Sequence, residues 1–284
     1  MHSAPRTVQV GAAVLAVLVI VALAAPLVAP GDPYRSDLPG RLATPSAAHV
    51  FGCDGLGRDL FARIAYGARV SLGVATVVIA ISLAVGVAVG AGAALAGGWV
   101  DTLLARAIDI VLAFPGLLLA IALAAVRGPG VANVVIALAA LGWPGYARLA
   151  RAEITGLRTR EFAQAARALG ARPARVLVRH LLPAALPTLL VQATFGFSGV
   201  IIAESSLSFL GLGVPPPLPS WGAMLDEGRQ FLLVAPHLVI FPGAVLALTV
   251  LALQLVGDGL RDWLDVSAGS ADSRTSSGRP PRPL

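Results

Sequence analysis

The residues best placed to do chemistry lie in one polar run, Arg148 to Pro183, which reads RLARAEITGLRTREFAQAARALGARPARVLVRHLLP. It holds eight of the 21 basic residues, and all 21 are Arg because the chain has no Lys. The run is helical by composition but too charged to cross a bilayer. Ala163, Ala165, Ala166 and Ala168 make a small, smooth surface. Gly170 suits the C-cap of that stretch. Pro173 suits the first turn of a new helix, and Pro183 marks the entry to an apolar segment. The spacing predicts two short helices meeting at Gly170 and projecting from the membrane. Such a surface either docks in a partner's groove or is an ordinary basic loop beside anionic lipid; composition leaves both open. Its chemistry is recognition rather than catalysis.

The other reactive side chains are few and scattered. The chain has four His and one Cys, Cys53. It has no C-x-x-C and no H-E-x-x-H, which excludes a structural zinc site and a zinc hydrolase. No metal ligands, cofactor site or catalytic residues are assigned, because no nucleophile–base set is visible. Without Lys there is no P-loop, so this chain is not an ATPase of that class. His180 is read as a packing or hydrogen-bonding residue, His237 has no evident ligand partners, and Cys53 is read as inert. Two acids remain. Asp109 falls within a predicted span, where an acid is a functional candidate by default. Its other reading is an i, i+3 pair with Arg106. Glu204 follows another span, where it either lines an entry or sits at the interface.

The elements that must hold these residues are set by hydropathy. Of the 284 residues 57% are hydrophobic and only 13% charged, and mean hydropathy is +0.82. Soluble domains carry about 25% charged residues, so the chain belongs in a membrane. A net charge of +6 is read as marking the inner side of that membrane rather than nucleic acid. A spanning helix needs about 20 apolar residues. Six segments qualify: 8–29, 71–96, 102–126 (interrupted by Pro115-Gly116), 131–147 (kinked at Pro144), from Pro183 to about 203, and 236–256. The first is longer than the apolar core of a signal peptide and is read as an anchor. Leu60, Phe61, Ile64 and Ala68, flanked by Arg58, Arg63 and Arg69, predict a separate short helix on the membrane surface. Gly86 and Gly90 form a G-x-x-x-G packing pattern. Trp99, Trp143, Trp221 and Trp263 sit near span ends as interfacial anchors. With both termini inside, 14 Arg lie inside and 7 outside, so the positive-inside rule favours N-in, C-in.

Beyond composition, the polar run resembles the EAA motif of permease subunits of bacterial ABC importers: E-A-A, three residues, Gly, nine residues, I-x-L-P. Here it reads Gln164-Ala165-Ala166, Gly170, then His180-Leu181-Leu182-Pro183, with Gln in place of Glu and His in place of Ile. The His variant is similar to the dipeptide, oligopeptide and nickel branch, C-type subunits in particular. Segments 49–75, 97–121, 143–153, 204–229 and 235–265 resemble that branch as well, with Gly52-Cys53-Asp54 where the family usually has G-T-D.

The resemblance implies an all-α integral membrane protein with six transmembrane helices, N-in/C-in, in the type I ABC importer (MetI-like) permease fold with cytoplasmic coupling helices. Its expected divisions are 1–68 (first helix and external loop), 69–260 (permease domain, EAA loop 148–183) and 266–284 (disordered cytoplasmic tail). It implies that Glu161, Gln164, Ala165, Ala166, Gly170, His180, Leu182 and Pro183 couple to an ATPase. It also implies a homologous B-type permease, two ABC ATPase subunits carrying ATP and Mg, and an extracytoplasmic solute-binding protein, in a bacterial inner membrane. The implied solute is a di- or oligopeptide, with nickel or glutathione as alternatives. A secondary transporter is the rival class; it would need deep coupling charges, and only Asp109 qualifies.

Overall fold

The computed structural model describes residues 6–29 and 32–276, with the backbone alone from residue 265 onward. Every regular element among the described residues is helical. The order is α1 (Arg6–Leu23), α2 (Ala25–Val28), α3 (Leu60–Ala96), α4 (Gly98–Ala113), α5 (Gly116–Arg127), α6 (Val131–Leu157), α7 (Glu161–Ala168), α8 (Pro173–Val176), α9 (Leu182–Phe209), α10 (Trp221–Arg229) and α11 (His237–Ser276).

The frame of the molecule is α3. Asp59 caps its start, its Oδ1 accepting from the Ala62 amide at 2.8 Å, and Gly97, with φ 64°, ends it. No proline interrupts its 37 residues, so it extends about 55 Å at 1.5 Å per residue. The expected surface helix is therefore not a separate element: residues 60–68 are the first turns of α3. Leu60, Ile64 and Ala68 are buried, packed on α10 and α11 through Met224, Trp221 and Leu238. An apolar stripe reads the same whether lipid or protein covers it, and here protein does.

Small residues let α6 lie against α3. A Cβ at Gly86 would stand 2.5 Å from the Tyr146 Cβ, and one at Gly90 would stand 2.3 Å from the Ala147 carbonyl oxygen. The G-x-x-x-G pattern is thus a packing device, as its spacing predicts. The third expected span is broken: α4 and α5 meet at Pro115 with an 82° bend. The fourth runs ten residues past its expected end, through Pro144 to Leu157.

The fifth span does not start at Pro183. Pro173–Phe209 is one 37-residue helical run, with a π-turn over Leu177–Leu181. There the Leu182 amide bonds back to the Leu177 carbonyl. Pro183 lacks an amide hydrogen and follows that widened turn directly, where the ordinary i→i−4 ladder is already interrupted.

Among the described residues, four helices are long and apolar enough to cross a membrane, and α4 with α5 makes a fifth if the bent pair counts as one. The expected fourth span corresponds to α6, whose 27 residues carry Asn133, Pro144, Arg148, Arg151 and Glu153 and fall short of that apolar measure. Finally, α11 continues to Ser276. Residues 266–276, expected to belong to a disordered tail, are thus helical as the end of α11, with no proline between Pro242 and Pro280; residues 277–284 lie outside the described residues.

Candidate functional site

The polar run folds into a tight knot at the C-terminal end of α3. One face of α7 is apolar: Ala163 is fully buried and packs with Ala91 and Ala94 of α3, Ile154 of α6, and Val176 and Leu181. Polar contacts hold the entry. The Gln164 side-chain amide donates to the Thr159 carbonyl at 2.9 Å. Arg167 donates to the Arg158 carbonyl at 3.2 Å, and the Arg158 guanidinium donates to the Ala94 carbonyl. A carboxylate at position 164 could not donate, so the departure from Glu creates a contact that Glu cannot make.

The turn at Gly170 is a Schellman motif. The Ala171 amide bonds to the Ala166 carbonyl at 3.1 Å and the Gly170 amide to the Arg167 carbonyl at 2.9 Å, with Gly170 at φ +82°. That backbone conformation favours glycine.

The other face is open. Leu169 is 88% exposed, and Glu161, Phe162, Gln164, Ala165 and Ala168 are exposed around it. Arg160, Arg172, Arg175 and Arg179 are exposed too. His180 and Pro183 face outward from the π-turn region, whereas Ala166 and Leu182 pack into the cluster beneath. The eight loop residues singled out from sequence are therefore brought together, some as surface and some as support. Glu161 opens α7, where its charge suits the helix N-terminus.

The two isolated acids are placed differently from expectation. Asp109 does not pair with Arg106. It accepts from Arg148 of α6 at 2.7 Å, while Arg151 grips Asp101 with two bonds of 2.5 and 2.6 Å. Both acids of α4 thus tie it to α6. A pair within one helix offers only about 0.2–0.5 kcal/mol, too little to hold Asp109 against a better-placed neighbour. Glu204 is fully buried. Ser71 of α3 donates to its Oε2 at 3.1 Å and Ser208 to its Oε1 at 2.8 Å. Ser205 lies 3.5 Å away, and Ser220 donates to the Ser208 hydroxyl at 3.4 Å. The network joins α3, α9 and the start of α10, where Trp221 Nε1 donates to the Ile64 carbonyl at 3.2 Å.

Sequence reading missed a second charged cluster, at the opposite end of α3. Arg58 and Arg63, expected to flank a surface helix, are 6% and 1% exposed. Arg58 Nε donates to Asp54 Oδ2 at 2.6 Å and its Nη2 to Glu227 at 2.9 Å. Arg63 Nη2 reaches both Glu227 oxygens at 3.1 and 3.0 Å, and its Nη1 stands 3.3 Å from Asp54. Cys53 adjoins them, fully buried. Burial, and then the nearby charges of Asp59, Asp54 and Asp37, push its thiol pKa up, which suppresses the reactive thiolate. His237 is buried with Nε2 unpartnered. No group of three His, Cys, Asp or Glu among the described residues is arranged to hold a metal ion.

Against known proteins, residues 84–268 match the family model described as binding-protein-dependent transport system inner membrane component. The dipeptide transport system permease protein DppC of Alkalihalophilus pseudofirmus is 43% identical over 256 residues, covering 90% of this chain and 84% of that protein. The glutathione transport system permease protein GsiD of Shigella dysenteriae serotype 1 is 45% identical over 249 residues, covering 87% of this chain and 82% of that one. Among solved structures, the inward-facing MetNI methionine ABC transporter (native crystal form) superposes with a TM-score of 0.57 at 20% identity, covering 70% of this chain and 95% of that one, which is a likeness of fold. The family match spans well over half of the chain and the relatives span most of it, so this chain belongs to the inner membrane components of binding-protein-dependent transport systems, as a permease of the dipeptide-permease C type.

Proposed function

We propose that this permease imports small peptides as one half of a translocation pathway, beside a homologous B-type permease, with two separate ABC ATPase subunits and an extracytoplasmic binding protein. ATP and Mg belong to the ATPase subunits in this reading. The observation that carries it is the loop at the end of α3: an exposed, arginine-rich surface mounted on a buried apolar cluster. A partner that moved α7 would move the ends of α3 and α6 with it, because Ala163, Ala91 and Ile154 share that cluster. Coupling requires such a rigid element with two positions, one of which the ligand favours. ATP binding on the partner would supply the bias, and the small face of α7 would seat in its groove. In this reading Glu161, Gln164, Ala165, Ala166, Gly170, His180, Leu182 and Pro183 form or support the contact, whereas Asp109 and Glu204 are structural charges. The arginine count supports termini and loop on the cytoplasmic side.

A peptide solute is supported by similarity to both a dipeptide and a glutathione permease, at 43% and 45% identity. The test has two parts. ATPase subunits should co-purify with this chain from its native membrane. A strain lacking the gene should lose uptake of labelled dipeptide, longer peptide or glutathione, and regain it when the gene is restored. Co-purification without any peptide defect would retain the permease and remove the peptide; loss of nickel uptake alone would reassign the solute.

A further inference from the structure

Near the start of α3, two segments face each other across an open depression of about 460 Å³. One wall is built by Leu38, Arg41 and residues 55–58, the other by Glu227, Gln230 and Phe231 at the end of α10. Both walls are fixed. The Asp37 amide bonds to the Leu56 carbonyl at 3.1 Å and the Leu42 amide to the Asp54 carbonyl at 3.0 Å, which staples the backbone on either side of Arg41. Arg58 reaches across to Glu227 at 2.9 Å. Gly55 lets the Phe231 ring close in, since a Cβ there would stand 2.9 Å from it.

The charged side chains of the depression are Arg41, Arg58 and Glu227. Arg58 and Glu227 answer each other, and Arg41 stands outside that network. Among the described residues no carboxylate pairs with Arg41; its guanidinium lies over the Phe231 ring, 5.7 Å from the centroid. Arg58, Arg63 and Arg229 at the same end have carboxylate oxygens at 2.6, 3.0 and 2.8 Å. A guanidinium held over an aromatic ring keeps N–H edges free to donate, and that fork matches a carboxylate with two parallel bonds. The rim around it is apolar and unsheltered: Leu38 is 66% exposed and Leu56 45%, beside an exposed Pro216.

We propose that this depression docks the extracytoplasmic solute-binding protein, with Arg41 taking an acidic side chain of that protein and Leu38 and Leu56 taking the apolar surface around it. The inference rests on the importer reading, which puts this end of α3 outside, opposite the coupling loop. Charge complementarity selects the occupant, because the one unbalanced cation of the depression calls for an anion. A small anionic solute would satisfy Arg41 but leave Leu38 and Leu56 in water, whereas a protein surface covers both. Arginine surrounded by apolar contacts that exclude water is a common form of interface hot spot, and walls already fixed lower the cost of ordering on binding.

The test uses the complete transporter in lipid nanodiscs, with purified, solute-loaded binding protein titrated against ATP hydrolysis. Arg41→Gln should raise the half-saturating concentration of binding protein about tenfold at low salt, and Arg41→Lys should raise it less. Added salt should raise that concentration for the unmodified transporter and much less for Arg41→Gln, since the screened pair is already gone. Leu38→Ser should raise it several-fold and keep the salt dependence. An unchanged half-saturating concentration in Arg41→Gln would overturn the proposal. So would loss of the B-type permease from the purified Arg41→Gln complex, which would assign the depression to that partner. If loaded binding protein stimulates no hydrolysis by the unmodified transporter, the importer reading itself has failed, and the docking site is not what failed it.

Discussion

The two ends of α3 treat the same amino acid in opposite ways. At its start, Arg58 and Arg63 are buried and share Asp54 and Glu227. At its end, Arg160, Arg172, Arg175 and Arg179 stand exposed on a loop anchored by its apolar side and by Arg158. A buried charge network locks the helices that form it, because removing one member strands the others. An exposed cation contributes little to the fold and stays free to meet something else. One end is finished within this chain; the other leaves its cations exposed, and in the proposed reading it is completed by a partner.

The largest effect should come from breaking the finished end. Arg63→Ala leaves Asp54 and Glu227 short of a cation in a buried site, a loss of about 3–5 kcal/mol. It should lower the melting temperature of the detergent-solubilised protein sharply. Arg175→Ala, at the open end, should leave melting unchanged and weaken co-purification with the ATPase subunits. Equal melting for the two would erase the contrast.

Next in size is Gly170→Val. A β-branched residue at φ +82° is strained by about 1–3 kcal/mol and should distort the Schellman turn. ATP hydrolysis should persist while uptake is lost, with insertion intact. Normal uptake would remove Gly170 from the coupling path. Gly170→Asn, which tolerates that backbone conformation better, should keep most of the activity.

Smaller still are the α4–α6 ties. Asp101→Asn breaks a two-pronged, partly buried pair and should destabilise more than Asp109→Asn, whose partner is exposed and whose loss is about 0–1 kcal/mol. The reverse order in thermal melts would mean that α4 is held mainly at the Asp109 end.

The smallest effect is a rate of labelling. Cys53 at the finished end should resist a maleimide near neutral pH until the protein is unfolded, since its raised pKa keeps the thiol protonated. A cysteine placed at Leu169, in a Cys53→Ala background, should label at once. Fast labelling of native Cys53 would show that the finished end opens.

What could be read without the structure was local. The apolar segments, though not their number as spans, the Gly86/Gly90 spacing and the turn at Gly170 each depend on residues a few turns apart, so composition and spacing suffice for them. Gly170 is the clearest case, since a glycine ending an alanine-rich helix predicts its own left-handed turn. Sequence alone also misjudged continuity: the stripe at Leu60–Ala68 was expected to be a short surface helix of its own and Pro183 to open a span, and both lie within longer helical runs.

Tertiary structure alone decided the pairings. Asp109 meets Arg148 across 39 residues, Ser71 meets Glu204 across 133, and Arg58 meets Glu227 across 169. Nothing in the spacing of a charge reveals which distant helix will bury it. The same holds for the Ser82 and Tyr146 hydroxyls, whose close approach to Gly142 and Gly196 only helix packing creates. Periodicity and capping act within a few residues of chain and are legible in sequence. Desolvation and charge pairing act between surfaces that only packing brings together.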